Sequence, residues 1–262
     1  MSTSNGAGLA PECRAFASDG FAGRVALVTG AAGGMGLAAA QAFAACGARV
    51  VLADRDEDGV REAAVPGATA LVLDVTDESA VARAVDGIVE ETGRLDHVLH
   101  CAAVITACHS READAAHWRR VLDINLVGAF VVAQAALRHM EKAGSGTVVL
   151  VASDAGFRGG GGLIADSAYA ASKAGVLSLV KSLAREFAST GVRVNALVPG
   201  PSDTPMHAAV PAELKQRIAT AIPVGRMGRP GDMAAAALFL SSPGASFVHG
   251  AALDVDGGLM LR

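Results

Sequence analysis

Short apolar runs recur along the chain, each followed by a longer stretch in which apolar residues return every three or four positions. Arg24 to Thr29, Arg49 to Asp54, Ala68 to Asp74, Leu95 to Ala103, Thr147 to Val151, Val192 to Val198 and Ala251 to Val255 are β-rich and nearly continuous in apolar character. Strands buried on both faces have that look. Between them lie helical patterns, from the first glycine turn to Cys46, from Glu78 to Glu91, from about Glu112 to His139, around Tyr169, and from Gly231 to Leu240. Strand and helix alternate throughout, which predicts an α/β fold with a doubly wound parallel sheet of about seven strands in one domain, residues 23–262. Residues 201–229 interrupt the alternation with several prolines and one short helical stretch around Glu213 to Ala219, and are expected to form a lid over a ligand.

Composition narrows the function classes. With 262 residues, about half of them apolar, the chain can bury one sizeable core. A net charge of -4 without a basic run recommends neither nucleic acid nor an anionic membrane as partner. No apolar run in the sequence looks long enough to span a bilayer. Cys13, Cys46, Cys101 and Cys108 have no metal-ligand spacing and read as reduced thiols of a cytoplasmic protein. No metal is expected. Residues 1–22 carry charges and lack a continuous apolar core, so they read as a flexible or loosely docked leader rather than a signal peptide.

Candidate chemistry gathers at the ends of the strands. The first strand runs into Gly30-Ala31-Ala32-Gly33-Gly34-Met35-Gly36 and then a helix, a turn whose backbone N–H groups suit a pyrophosphate. Asp54 ends the second strand, where a carboxylate would bind the adenosine ribose and repel a 2′-phosphate. Arg55, next in sequence, either pairs with such a phosphate or is solvated. Asp74, followed by Val75, accepts from an adenine amino group, caps the next helix together with Thr76 and Asp77, or does both. Cys101 ends the fourth strand among small residues and reads as packing, since no activating base adjoins it. Asn125 interrupts the apolar side of a long helix and needs polar partners there. Ser153 follows the fifth strand, before a glycine-rich loop. Tyr169, the chain's only tyrosine, precedes Lys173 by one helical turn. A phenol becomes a proton shuttle near neutral pH when a cation lowers its pKa, and a shift of about three units needs roughly 4 kcal/mol.

Taken in this order, Thr29-Gly30-x-x-x-Gly34-x-Gly36, Asp74-Val75, Asn125, Ser153-x-x-Gly156, Tyr169-x-x-x-Lys173, Arg193-Val194-Asn195-Ala196 with Pro199-Gly200, and Asp256-Gly257-Gly258 resemble the classical short-chain dehydrogenase/reductase family, over residues 22–258. The resemblance implies a Rossmann fold and an NAD-dependent enzyme, with NADP less favoured, that interconverts a secondary alcohol and a ketone. Tyr169 would be its general acid/base. Lys173 would lower the tyrosine pKa and hold the nicotinamide ribose, Ser153 would orient the substrate oxygen, Asn125 would fix a relay water and Thr204 would bind the carboxamide. A homotetramer or homodimer is expected, pairing through the helices that hold Asn125 and Tyr169. Alternatives are an NADP-dependent ketoreductase of 3-oxoacyl type and a non-catalytic nucleotide-binding scaffold. Three departures stand out. His100-Cys101-Ala102-Ala103 replaces the family's Asn-Asn-Ala-Gly, which leaves Cys101 only a backbone contact to the cofactor. Ser202 replaces an aliphatic residue, and the interval from Ser153 to Tyr169 is longer than usual, with Ser167 as a substitute for Ser153. The loops around the site hold few charges, which favours a small or alicyclic, largely uncharged substrate.

Overall fold

The computed structural model describes residues 17–63, 65–160, 166–204 and 210–262. Seven strands form one sheet: β1 (Val25–Thr29), β2 (Arg49–Asp54), β3 (Thr69–Val72), β4 (His97–His100), β5 (Gly146–Val151), β6 (Val192–Pro199) and β7 (Ala252–Val255). Their spatial order is β3-β2-β1-β4-β5-β6-β7 and every pairing is parallel. The chain therefore winds outward twice from β1, and the order reverses between β1 and β4. Open α/β sheets bind ligands beyond the carboxyl ends of their strands at such a reversal.

Alternate residues of each strand face opposite layers. In β1, Val25 and Leu27 belong to the core beneath α3 (Glu78–Thr92), α5 (Gly128–Ala143) and α7 (Ser167–Glu186). Ala26 and Val28 belong to the core beneath α1 (Gly34–Ala45) and α9 (Pro230–Ser241). Alanines such as Ala39, Ala40, Ala234 and Ala237 are buried where α1 packs against α9, so the alanine content of the chain buys close helix approach. Two short helices were illegible in the sequence, α2 (Glu57–Glu62) and α6 (Ala155–Arg158); α8 (Ala212–Ala221) extends the helix expected near Glu213.

The expected long helix is continuous from Ala115 to Ala143 but not uniform. It comprises α4 (Ala115–Leu122), one π-helical turn at Asp123–Val127, and α5. By length and composition this run could cross a bilayer, contrary to the expectation from the sequence. Its apolar residues, among them Val132, Ala136 and Met140, are instead buried in the core against the sheet. Residues 17–22, expected to belong to a leader, are described and include a core residue. Phe21 is 1% exposed, its ring meets Phe43 edge-on at 5.1 Å, and its N–H donates to the Cys46 carbonyl. Residues 1–16 lie outside the described residues.

Candidate active site

The helices that start at the ligand-binding end of the sheet differ in how their N-termini are capped. Helices α2, α3, α4 and α7 each begin with an aspartate whose carboxylate accepts from their own backbone N–H groups. Helix α1 begins with Gly33, which offers no side-chain cap, and its first turn holds no acidic residue. Its N-terminal N–H donors and positive dipole end are thus left to a ligand. The turn is tight because Gly36 lacks a side chain: a Cβ there would fall 2.1 Å from the Gly30 carbonyl oxygen. Gly30, Gly34, Met35 and Gly36 all line a cleft of about 360 Å³, within the usual size of a ligand site.

Along this cleft lie Asp54, Arg55, Asp74, Val75, Cys101 and Thr204. Asp54 accepts from the N–H of Ala32 at 3.1 Å and of Asp56 at 3.0 Å, so it braces the glycine turn as well as the rim. Arg55 is exposed beside it. Asp74 does not cap α3, which Asp77 does; it accepts from the N–H and hydroxyl of Thr76, and these bonds hold its carboxyl below the usual range. Burial pushes the Cys101 thiol up to about 12, so it is an inert thiol.

At the other end, Ser153, Tyr169 and Lys173 share the cleft. Lys173 is 3% exposed, and its ammonium donates to the Val151 carbonyl at 2.7 Å, 5.7 Å from the Tyr169 ring centroid. Burial brings the lysine down to about 8, against a smaller upward pull from Cys101. The tyrosine does not follow the expectation of a lowered pKa. Burial pushes it up to about 12, hydrogen bonding with Ser153 draws it back, and the Asp154 and Asp166 carboxylates raise it further. The physical reason is burial first, to which the Asp154 and Asp166 carboxylates add, while the Lys173 ammonium is turned to Val151.

Asn125 is buried in the π-helical turn. Its Oδ1 accepts from Val104 N–H at 2.8 Å, and its Nδ2 donates to the Val104 carbonyl at 2.9 Å and to Ser172 Oγ at 3.0 Å. The side chain thus ties the segment after β4 to α7, and Oδ1 keeps a second acceptor lone pair. Such π turns often mark functional positions. Ser167 pairs with Ser110 at 2.8 Å and does not line the cleft, so it is no substitute for Ser153. Residues 161–165 of the loop between Ser153 and Tyr169 lie outside the described residues.

Asp166 and the apolar wall of this region were not singled out in the sequence, whereas His100 and Ser202 stood out there only as departures. Asp166 accepts from the N–H of Tyr169 and from both N–H and hydroxyl of Thr106, fastening the start of α7. An aspartate just before a helical pattern signals an N-cap, so this one was findable. His100 takes over sheet support where the family has an amide: its Nδ1 shares a hydrogen bond with Thr29 Oγ1 at 2.9 Å. Burial brings it down to about 3, so it is neutral, and Nε2 has no partner among the described residues. Ser202 is buried and donates to the Gly200 carbonyl at 3.0 Å. Ile105, Val210, Leu214, Ile218 and Met227 wall the cleft with apolar surface.

An open helix N-terminus at one end of a switch-point cleft, and a serine, tyrosine and buried lysine at the other, define a dinucleotide-dependent oxidoreductase. Residues 30–260 match the family profile described as Enoyl-(Acyl carrier protein) reductase. The chain is 44% identical to the cis-4-hydroxycyclohexanecarboxylate dehydrogenase of Sinomonas cyclohexanicum, covering 92% of this chain and 98% of that one. It is 36% identical to the 3-oxoacyl-[acyl-carrier-protein] reductase FabG of Thermotoga maritima, over 91% and 98% of the two chains. A crystal structure from Beutenbergia cavernae, assigned provisionally as an NAD(P) dependent gluconate 5-dehydrogenase with NADP at low occupancy, superposes with a TM-score of 0.84 at 39% identity, covering 92% and 98%. The chain belongs to the classical short-chain dehydrogenase/reductase family, whose members use a nicotinamide dinucleotide, NAD or NADP.

Proposed function

We propose that the protein is an NAD-dependent dehydrogenase that interconverts a small alicyclic secondary alcohol and its ketone, with Tyr169 as general acid/base. The observation that carries this reading is the convergence of Ser153, Tyr169 and Lys173 under an apolar wall, in the cleft whose far rim holds Asp54. A bound nicotinamide would supply the hydride acceptor. In oxidation, the Tyr169 phenolate takes the alcohol's hydroxyl proton while the carbinol carbon gives up its hydride. Ser153 holds the substrate oxygen, and Lys173, free to turn from Val151, holds the nicotinamide ribose. Asn125 keeps α7 and the segment after β4 in register. Thr204 lines the carboxamide end, and Asp74 and Val75 the adenine end.

The Sinomonas relative is named for cis-4-hydroxycyclohexanecarboxylate, and the wall of Ile105, Leu214, Ile218 and Met227 suits such a ring. Asp54 favours NAD because a 2′-phosphate beside its carboxylate would cost about 4 kcal/mol per unit charge near 4 Å. Arg55 on the same rim, and the NADP in the Beutenbergia structure, favour NADP as the second reading, a ketoreductase of 3-oxoacyl type. Calorimetric titration with both dinucleotides, followed by a panel of cyclic and acyclic secondary alcohols, tests both points. Tighter binding of NAD and turnover of cyclohexanols are expected; tighter binding of NADP overturns the cofactor assignment.

A homotetramer or homodimer pairing through α4, α5 and α7 is supported by Val127 and Phe130, 47% and 38% exposed on the helix that carries Asn125. Light scattering that gives a monomer would remove it. The described cysteines Cys46, Cys101 and Cys108 are free thiols, which supports a cytoplasmic setting.

A further inference from the structure

One carboxylate at the substrate end of the cleft has no part in the reaction above. Asp154 follows Ser153 directly, its side chain is 8% exposed, and it lines the same cleft as Tyr169. Its backbone is fixed by N–H donation to the Pro199 carbonyl at 3.0 Å. Oδ2 accepts from Arg158 Nη1 at 3.1 Å, and Oδ1 accepts from the Ser153 hydroxyl at 3.1 Å. Arg158, itself partly exposed, thus anchors one carboxylate oxygen and leaves the other beside Ser153.

A carboxylate offers about four lone-pair sites. Asp166, the other carboxylate near Tyr169, uses its own: it accepts from the N–H groups of Ala168, Tyr169 and Thr106 and from the Thr106 hydroxyl. Asp154 accepts from only two side-chain donors among the described residues. It therefore keeps acceptor capacity in a cleft whose substrate end is otherwise walled by apolar side chains such as Ile105, Leu214 and Met227. A buried charge of that kind is stabilised by a further donor.

Position and charge define the donor. Ser153 Oγ and Asp154 Oδ1 stand 3.1 Å apart, about the spacing of hydroxyl oxygens on neighbouring carbons of a ring. An anionic substituent would be repelled by Asp154 and Asp166, and an ether or carbonyl oxygen has no proton to give. We propose that Asp154 is a specificity-determining residue that accepts a hydrogen bond from a second hydroxyl on the carbon next to the reacting one, so that the substrate is an alicyclic vicinal diol. This rests on the reading of the site as an alcohol dehydrogenase with Tyr169 as the proton-transfer group, and names the class of alcohol.

Each proton then has one destination. The second hydroxyl takes over Oδ1 from Ser153, whose own proton is freed for the oxygen on the reacting carbon. The reacting hydroxyl keeps its proton for the Tyr169 phenolate. The carbinol C–H bond breaks with its electron pair passing as hydride to the nicotinamide, a C=O bond forms, and the second hydroxyl is left unchanged. The product is a 2-hydroxyketone, whose remaining hydroxyl still donates to Asp154.

Matched alcohols read this in the unaltered protein. With saturating NAD, kcat/KM for cis-1,2-cyclohexanediol should exceed that for cyclohexanol and for cis-2-methoxycyclohexanol, which lacks the second donor, by roughly tenfold or more, as a hydrogen bond to a charged acceptor is gained. Most of the difference should lie in KM. Asp154→Leu should bring the ratio of diol to cyclohexanol close to one, and Asp154→Asn, which keeps a neutral acceptor, should leave it in between. A role confined to holding α6 would lower turnover of all these alcohols together with the ratio unmoved, and that overturns the proposal. If the Asp154 variants do not fold, the unaltered protein decides alone: equal kcat/KM for diol, methyl ether and cyclohexanol sinks the idea. Tyr169→Phe loaded with NAD separates the two layers, since calorimetry on it should still give tighter binding of the diol than of cyclohexanol. Turnover that survives in that variant removes the proton-transfer reading, whereas equal affinities beside lost turnover remove only the role of Asp154.

Discussion

Raising the pH of the free protein through the alkaline range should reveal a tyrosine that resists ionisation. Tyr169 sits at about 12 against an ordinary 10, chiefly because burial disfavours the phenolate. Two pH units correspond to about 3 kcal/mol of preference for the neutral phenol. The folded protein thus keeps a proton that the unfolded chain releases between pH 10 and 12. That contribution to stability is fully present below about pH 10 and is lost as the pH rises through about 12. Lys173, at about 8, is already neutral over this window and offers the phenolate no charge. Near-ultraviolet absorbance after rapid mixing to each pH follows the one tyrosine before the chain unfolds. Saturating NAD should move the midpoint down, since a cationic ring beside the phenol favours its ionised form. A midpoint at or below 10 in the free protein would refute the reasoning, because burial and two facing carboxylates could not then be governing the group.

Other outcomes follow from the same contacts. Asn125→Ala removes three hydrogen bonds and strands Val104 and Ser172 groups in the interior, which should lower the unfolding free energy by about 3–5 kcal/mol in denaturant titration. Gly36→Ala drives a methyl group into the Gly30 carbonyl and should weaken NAD binding at least tenfold by calorimetry, with little change in circular dichroism. His97 and His100 are buried as neutral rings, at about 4 and about 3 against an ordinary 6.5. The unfolded chain binds their protons first, so thermal stability should fall as the pH drops from about 6.5 toward 4; a Tm that is flat over that range would contradict their burial.

Much of the fold was legible because parallel strands buried on both faces leave continuous apolar runs, and all seven fell close to their expected places. The glycine turn and the Tyr169/Lys173 pair were legible for a related reason, since each depends on spacing within one element. What escaped depends on contacts between elements or on pieces too short for periodicity. Helix α2 buries only Val60, and α6 is a single turn that its glycines disguise as loop. The π turn at Asn125 adds a residue to a helix without changing its composition. Phe21 packs its ring against Phe43 and His97, far along the chain. The raised tyrosine was hidden because it follows from burial in the folded protein, with the Lys173 ammonium turned to Val151 on a strand 22 residues away.

The central claim is that Tyr169 moves the proton, and Tyr169→Phe tests it most directly. The variant should bind NAD as the parent does, measured by calorimetry, while oxidation of a cyclic secondary alcohol, followed by the absorbance of reduced nicotinamide, falls below detection. Turnover at the parental rate with NAD binding intact would contradict it.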